Sequence, residues 1–154
     1  MNAVERVDTS SRIVRAGRDA VFRAMTQPQA LVEWLPPTGM SGRFEHADIR
    51  TGGSYRLVLT FDEPTGTGKA TADSDVVEVG LVEVSPEQIV QEVGFVSDDP
   101  AYSGTMTMTW RLTPVDDGTL VEIRAEGVPS GVSAEDHATG MSASLVNLAA
   151  YLET

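Results

Sequence analysis

The stretch SAEDHATGMSASLVNLAAYLET, residues 133–154, decides the fold. Its apolar residues recur at spacings of four and three, which places one stripe along a helix, made of Ala134, Ala138, Met141, Leu145, Leu148 and Leu152. Ser133 and Asp136 have the spacing of a capping box, and Glu135 adds negative charge beside the helix N-terminus. The pattern predicts one long C-terminal helix that must bury its stripe against another layer.

The remainder of the chain supplies that layer as strands. Apolar and polar residues alternate, as in half-buried strands, over residues 44–50, 55–61, 76–84, 89–96, 105–112 and 120–125. A first strand is predicted over 12–15, followed by short helices over 19–25 and 28–35, and the polar segment 62–75 predicts a mobile loop. We therefore expect an α+β fold in which an antiparallel sheet packs on the C-terminal helix.

Composition excludes several classes of function. The 154 residues fit a single domain spanning 1–154, and a net charge of -12 with scattered cations argues against nucleic-acid binding. The chain has no cysteine, so it has neither disulfides nor thiolate chemistry. The N-terminus lacks a signal-peptide pattern and no apolar run reaches membrane-spanning length, which predicts a cytoplasmic protein without membrane insertion.

Three motifs carry a resemblance to a known family. They are the segment 20–31 followed by Trp34, the pattern Asp48-x-Arg50-x-Gly52-Gly53-x-Tyr55, and the helix segment 140–153. In this order they resemble the START-like superfamily, also called SRPBCC or the helix-grip fold, and within it the homologues of the activator of heat-shock protein 90 ATPase. The resemblance implies a curved antiparallel sheet of six to seven strands around the C-terminal helix, with two short helices after strand 1.

The chain departs from the family pattern at two positions. Leu35-Pro36-Pro37 follows Trp34 where relatives usually carry a second aromatic residue, and Met141 stands where they usually carry Trp. Both positions resemble ones that line a cavity. The resemblance therefore does not imply that this chain binds the same ligand as any particular relative.

The predicted inner face of the sheet is a candidate ligand site. A cavity between sheet and helix is implied by the resemblance, and its expected ligand-binding residues are Trp34, Tyr55, Leu57, Leu59, Met106, Met108, Trp110, His137 and Met141. Methionine side chains are flexible and repack around varied ligands. The alternative is an ordinary close-packed core. Gly140 favours the cavity, because glycine inside a helix costs about 1 kcal/mol relative to alanine and indicates close approach or open space.

Candidate catalytic groups are few. His137 could act as acid or base near neutral pH, with Glu33 or Glu126 as a carboxylate at the cavity mouth. The alternative for His137 is a packed histidine at the rim. His46 with Asp48 supplies only two potential ligands, so no metal site is expected.

The hairpin motif has its own alternatives. Asp48 and Arg50 are expected to form an ion pair that braces the turn at Gly52 and Gly53, rather than to bind a ligand carboxylate.

These observations predict binding of a small hydrophobic or amphipathic molecule without catalysis and without a cofactor. Enzymatic activity is left open, and the alternative is a cyclase, dehydratase or hydrolase using the same cavity. A third possibility is a module that interacts with a protein partner such as a chaperone or a regulator. The protein is expected to be a monomer or a homodimer.

Overall fold

A computed structural model describes residues 6–37, 39–62 and 74–153 of the chain. The elements follow the predicted order, with bounds β1 Val7–Val14, α1 Arg18–Thr26, α2 Pro28–Trp34, β2 Met40–Asp48, β3 Ser54–Phe61, β4 Ser74–Val84, β5 Gln88–Phe95, β6 Met106–Val115, β7 Gly118–Glu126 and α3 Ala134–Leu152. A 3-10 turn at Pro100–Tyr102 precedes β6. Residues 63–73 of the predicted loop lie outside the described residues.

The seven strands form one antiparallel sheet in the order β1-β7-β6-β5-β4-β3-β2. The register shifts between Phe44 and His46 in β2, and again between Leu81 and Glu83 in β4. Such bulges bend a strand and increase its twist, so they help the sheet to curve. Helix α3 contacts β1, α1 and α2. The α+β helix-grip architecture predicted from the sequence is confirmed.

The first two strands differ from their predicted bounds. β1 begins at Val7 rather than Arg12 and pairs with β7 along its whole length, from Val7 opposite Glu126 to Val14 opposite Thr119. Apolar alternation does not reveal this strand, because Asp8 is buried whereas Val7 and Ile13 are exposed. β2 spans Met40–Asp48 rather than 44–50, since the chain turns after Asp48.

The Gly-Gly turn joins β2 to β3 at the predicted place. Gly52 has φ +83°, a left-handed conformation that favours glycine, and a Cβ at Gly53 would collide with the carbonyl oxygen of Asp48. Arg50 Nε lies 3.0 Å from Asp48 Oδ1, and both side chains are exposed. The ion pair therefore lies on the surface at the turn, where its contribution to stability is small.

Helix α3 is capped as predicted, because Ser133 Oγ accepts a hydrogen bond from the Asp136 N–H at 3.0 Å. Within the predicted stripe, Met141, Leu145 and Leu148 are buried and Leu152 is half-buried, whereas Ala134 and Ala138 are exposed. Periodicity identifies which residues share a helix face. It does not show how far along the helix that face is covered by other elements.

The core joins the helices to the sheet through large buried side chains. Trp34 at the end of α2 is 2 % exposed, and its Nε1–H donates to the Ala24 carbonyl of α1 at 2.9 Å. This bond fixes the two short helices to each other beside α3. None of the helices in the described part of the chain combines the length and apolar character that a membrane span requires.

Candidate functional site

A partly open cavity of about 260 Å³ lies between the sheet and the N-terminal part of α3. Most of its wall is apolar and comes from the short helices, from the segment that follows them and from the inner face of the sheet: Met25, Leu31, Trp34, Leu35, Pro37, Tyr55, Leu57, Leu59, Val77, Val79, Val93, Phe95, Met106, Met108, Trp110 and Ile123. Strand β5 adds Gln91, and α3 adds His137, Gly140, Met141 and Ser144. The structure therefore brings all nine predicted ligand-binding residues to one cavity.

Two tryptophans form one rigid wall. The rings of Trp34 and Trp110 pack edge to face, with centroids 5.9 Å apart and planes at 72°. Such aromatic pairs contribute about 0.5–1.5 kcal/mol beyond the area they bury. Because Nε1 of each indole is also hydrogen-bonded, both rings are held in place by the protein itself.

Gln91 forms the polar centre of the sheet wall. Trp110 Nε1 donates to Gln91 Oε1 at 3.1 Å, and Gln91 Nε2 donates to Tyr55 Oη at 3.4 Å. The indole N–H can only donate, so this contact fixes the orientation of the amide. Burial raises the pKa of Tyr55 to about 12, with the Gln91 hydrogen bond acting in the opposite direction. Tyr55 is therefore a neutral phenol at physiological pH.

Sequence reasoning missed Gln91, although a signal was present. Ile89, Gln91, Val93 and Phe95 share one face of β5, and glutamine interrupts this apolar series. A polar side chain on an inward strand face needs a hydrogen-bond partner, since burying it unpaired is costly. The interruption could therefore have indicated a polar position inside the cavity.

The wall formed by α3 carries a histidine that is tied to β1. His137 Nδ1 lies 2.7 Å from Asp8 Oδ2, and the side chains are 13 % and 9 % exposed. His137 also lines the cavity. Among the described residues, only Nδ1 of this ring has a hydrogen-bond partner, which leaves Nε2 for a ligand or water.

Asp8 is itself held by an arginine. Arg6 Nε and Nη2 contact the two carboxylate oxygens at 3.1 and 2.7 Å, and Arg6 Nη1 donates to the Val132 carbonyl at 2.7 Å. The Arg6 hydrogen bonds hold the pKa of Asp8 below its usual range, against the opposing effect of burial and with help from His137. Asp8 is therefore a carboxylate that links the start of β1 to the beginning of α3.

No sequence signal identified Asp8 as part of the site. It lies 129 positions before His137, in a segment without apolar periodicity. Only the pairing of β1 with β7 brings the two residues together.

Gly140 leaves space in the helix wall. A Cβ built at this position would meet no atom within 4 Å among the described residues, and Gly140 lines the cavity between His137 and Ser144. Of the two explanations for a glycine inside the helix, the structure therefore supports open space rather than close approach.

The two predicted carboxylates at the cavity mouth are placed elsewhere. Glu126 follows buried Ala125 in β7, so it lies on the opposite face of the sheet, where its Oε1 is 2.9 Å from Arg124 Nε. Glu33 lines a separate surface depression with Tyr151. The expectation that either residue pairs with His137 at the cavity is not met.

His46 is also remote from the cavity wall. It is exposed on β2, with Nε2 3.2 Å from Ser54 Oγ. Across residues 6–37, 39–62 and 74–153, no three His, Asp or Glu side chains cluster in a way that could hold a metal ion.

Comparison with known proteins places this fold in a family. A family model described as activator of Hsp90 ATPase homolog 1-like protein matches residues 15–153. The chain belongs to this family. The resemblance expected from the three sequence motifs is thereby confirmed. Among curated proteins, none matches this sequence significantly.

Solved structures show the same fold. Protein CV1439 from Chromobacterium violaceum is 30% identical with a TM-score of 0.83, and the match covers 96% of this chain and 98% of that one. A protein from Rhodobacter sphaeroides is 20% identical with a TM-score of 0.78, over 99% and 96% of the two chains. DynU16, a protein of the dynemicin biosynthetic locus, is 22% identical with a TM-score of 0.70, and the match covers 98% of this chain but 48% of DynU16.

Proposed function

We propose that the protein binds a small apolar or amphipathic molecule in the cavity between sheet and helix, without catalysis. The observation that carries this proposal is an apolar space of about 260 Å³ inside an otherwise buried core. Close-packed interiors contain few voids larger than a water molecule. An apolar cavity of about 150 Å³ is large enough to bind benzene. The volume here therefore fits a ligand of one or two rings.

The lining residues suit such a ligand. The fixed edge-to-face pair of Trp34 and Trp110 offers a rigid aromatic surface, whereas Met106, Met108 and Met141 can repack around different shapes. Gln91, His137 and Ser144 are among the few polar groups that could orient a bound molecule. Ligand pockets typically combine a mostly apolar wall with a small number of placed polar groups.

The comparisons give this proposal limited further support. DynU16, from the dynemicin biosynthetic locus, shares the fold, and at 22% identity it supports only the fold. A chaperone- or regulator-binding role would follow from the family description alone. A filled core would have favoured that role, and the open cavity favours ligand binding.

One observation favours a second function. The contact between His137 and Asp8 at the cavity wall is an arrangement that could support acid–base catalysis of the cyclase, dehydratase or hydrolase type. Such chemistry usually requires a second acid or base facing the substrate. No Asp or Glu is among the described residues that line the cavity, so binding without catalysis is the better-supported function.

Native mass spectrometry of the freshly purified protein tests the proposal directly, and a co-purifying small molecule is the expected result. A cavity-filling variant tests it by a second route. Met141→Trp places a larger ring in the open space, where it recovers contacts that a void forfeits. Its stability to urea should stay the same or rise, while binding of a fluorescent apolar dye falls.

The matched control is Val146→Trp, which adds the same ring to an exposed position of the same helix. This control should leave dye binding unchanged. Overpacking of a filled core would instead destabilise Met141→Trp by about 1–3 kcal/mol. That loss, combined with dye binding equal to wild type, would contradict the proposal.

A further inference from the structure

We propose that the ligand carries a neutral, weakly acidic hydroxyl group, such as that of a phenol or an enol, which donates a hydrogen bond to Nε2 of His137. This inference rests on the proposed function and adds the chemical class of the ligand. It is carried by the contact between Asp8 and His137, together with the open space above Gly140.

The Asp8 contact determines which ring nitrogen can accept. A carboxylate only accepts hydrogen bonds, so the nitrogen 2.7 Å from Asp8 Oδ2, Nδ1 of His137, carries a proton. In the neutral imidazole, Nε2 then has a lone pair and no proton. Because His137 lines the cavity, Nε2 is the acceptor that this residue can offer to a bound molecule.

The ring is held rigidly enough for this orientation to persist. Asp8 has two contacts from Arg6, and Arg6 in turn is bonded to the Val132 carbonyl just before α3. These bonds fix the carboxylate relative to the helix that carries His137. Rotating the ring to present Nδ1 to the cavity would break a charge-assisted hydrogen bond to a carboxylate that is 9 % exposed.

The neighbouring residues leave room for the group that donates to Nε2. On the helix, Gly140, Met141 and Ser144 follow His137 along the cavity wall. An added methyl group at Gly140 would meet no atom of the described residues within 4 Å. Gly140 itself therefore places no side chain between a ligand hydroxyl and the imidazole.

The surrounding charges disfavour a cationic donor. An ammonium group would bring a positive charge into an apolar cavity, where the negative charge of Asp8 is already paired with Arg6. A carbonyl or an ether has no proton to donate. A neutral hydroxyl on an unsaturated ring satisfies Nε2 and leaves the rest of the molecule for the wall formed by Trp34 and Trp110.

The experiment compares 1-naphthol with 1-methoxynaphthalene, which has the same rings but no hydroxyl proton. Affinities for the wild-type protein are measured by isothermal titration calorimetry. We expect naphthol to bind about fivefold to tenfold more tightly, the range for one hydrogen bond to an otherwise unsatisfied acceptor. A ratio near one in the wild type overturns the inference but not the proposed function. Failure of both compounds to bind overturns both.

Two variants test whether the preference for naphthol arises from the contact between Asp8 and His137. His137→Phe keeps a ring of similar size without nitrogen, and should reduce the ratio of the two affinities to about one. Asp8→Ala removes the carboxylate that keeps the proton on Nδ1, so Nε2 is no longer held as an acceptor and the preference for naphthol should fall. If Asp8 and His137 only maintained the fold, the variants would alter the affinities for naphthol and methoxynaphthalene together. A preference that persists in a folded His137→Phe protein overturns the inference.

Discussion

The two halves of helix α3 differ in how deeply their side chains are buried. In the second half, 145–152, Leu145, Leu148 and Ala149 are at most 2 % exposed and pack into the core. In the first half, 134–144, only Met141 is buried, and this half forms one wall of the cavity. We call these the closed half and the open half of the helix.

Polar contacts replace apolar packing in the open half. His137 is bonded to Asp8, and the residue before the N-cap, Val132, accepts from Arg6. These bonds connect the start of α3 to β1 and its N-terminal flank without filling the space beneath the helix. A helix can therefore pack into the core at one end and border a cavity at the other, if polar contacts hold the end beside the cavity.

The largest effect is expected in the closed half. Leu148→Ala should destabilise the protein by about 2–5 kcal/mol, because it removes a fully buried side chain and leaves a cavity. Ser144→Ala, which removes one hydroxyl at the cavity wall in the open half, should cost far less. Urea denaturation of both variants provides the measurement. Equal losses at the two positions would break the distinction between the halves.

The closed half could be predicted from the sequence almost completely. The spacing of Leu145 and Leu148 predicts the buried face of this half. The start of the helix at Ser133, at the opposite end, could be predicted as well. Both features are local, so they depend on nothing beyond a few neighbouring residues. The inward positions of β3 and β6, such as Tyr55 and Trp110, were predictable for the same reason.

The polar part of the open half could not be predicted. Asp8 approaches His137 only because β1 pairs with β7, a contact between the two ends of the chain that periodicity cannot reveal. Glu126 and Glu33 lie near the ends of their elements, so they were expected at the cavity mouth. Strand alternation instead places Glu126 on the opposite face of the sheet, and Glu33 lies at a separate depression. Local patterns identify which residue types face inward. Long-range pairing determines which of those residues meet.

The next effect concerns Asp8, which holds the open half through His137 and Arg6, and it depends on pH. The pKa of Asp8 is lowered in the folded protein from its ordinary value of 3.8. Its carboxylate therefore contributes stability that is fully present above pH 3.8 and is lost as the pH falls through the lower folded value. Asp8→Asn should be less stable than wild type at pH 7, and the difference should shrink as the pH falls below this range.

Urea denaturation of both proteins at a series of pH values from 7 to about 3 gives this difference directly. Comparing the two proteins removes the contribution of the other carboxylates, which titrate in both. Asp48→Asn is a suitable control, since its ion pair with Arg50 is exposed and should contribute little. A constant difference between wild type and Asp8→Asn at all pH values would show that Asp8 does not anchor the open half through its charge.

The smallest effect is a gain in stability at Gly140. Because a Cβ there meets no atom of the described residues within 4 Å, Gly140→Ala should stabilise the helix by about 1 kcal/mol, the difference in helix propensity between the two residues. The urea midpoint should rise without a change in slope. Gly53→Ala is the contrasting control and should be destabilising, since its Cβ would collide with the backbone of Asp48. A loss of stability in Gly140→Ala would mean that the helix is closely approached at this point, and the open half would then be packed like the closed one.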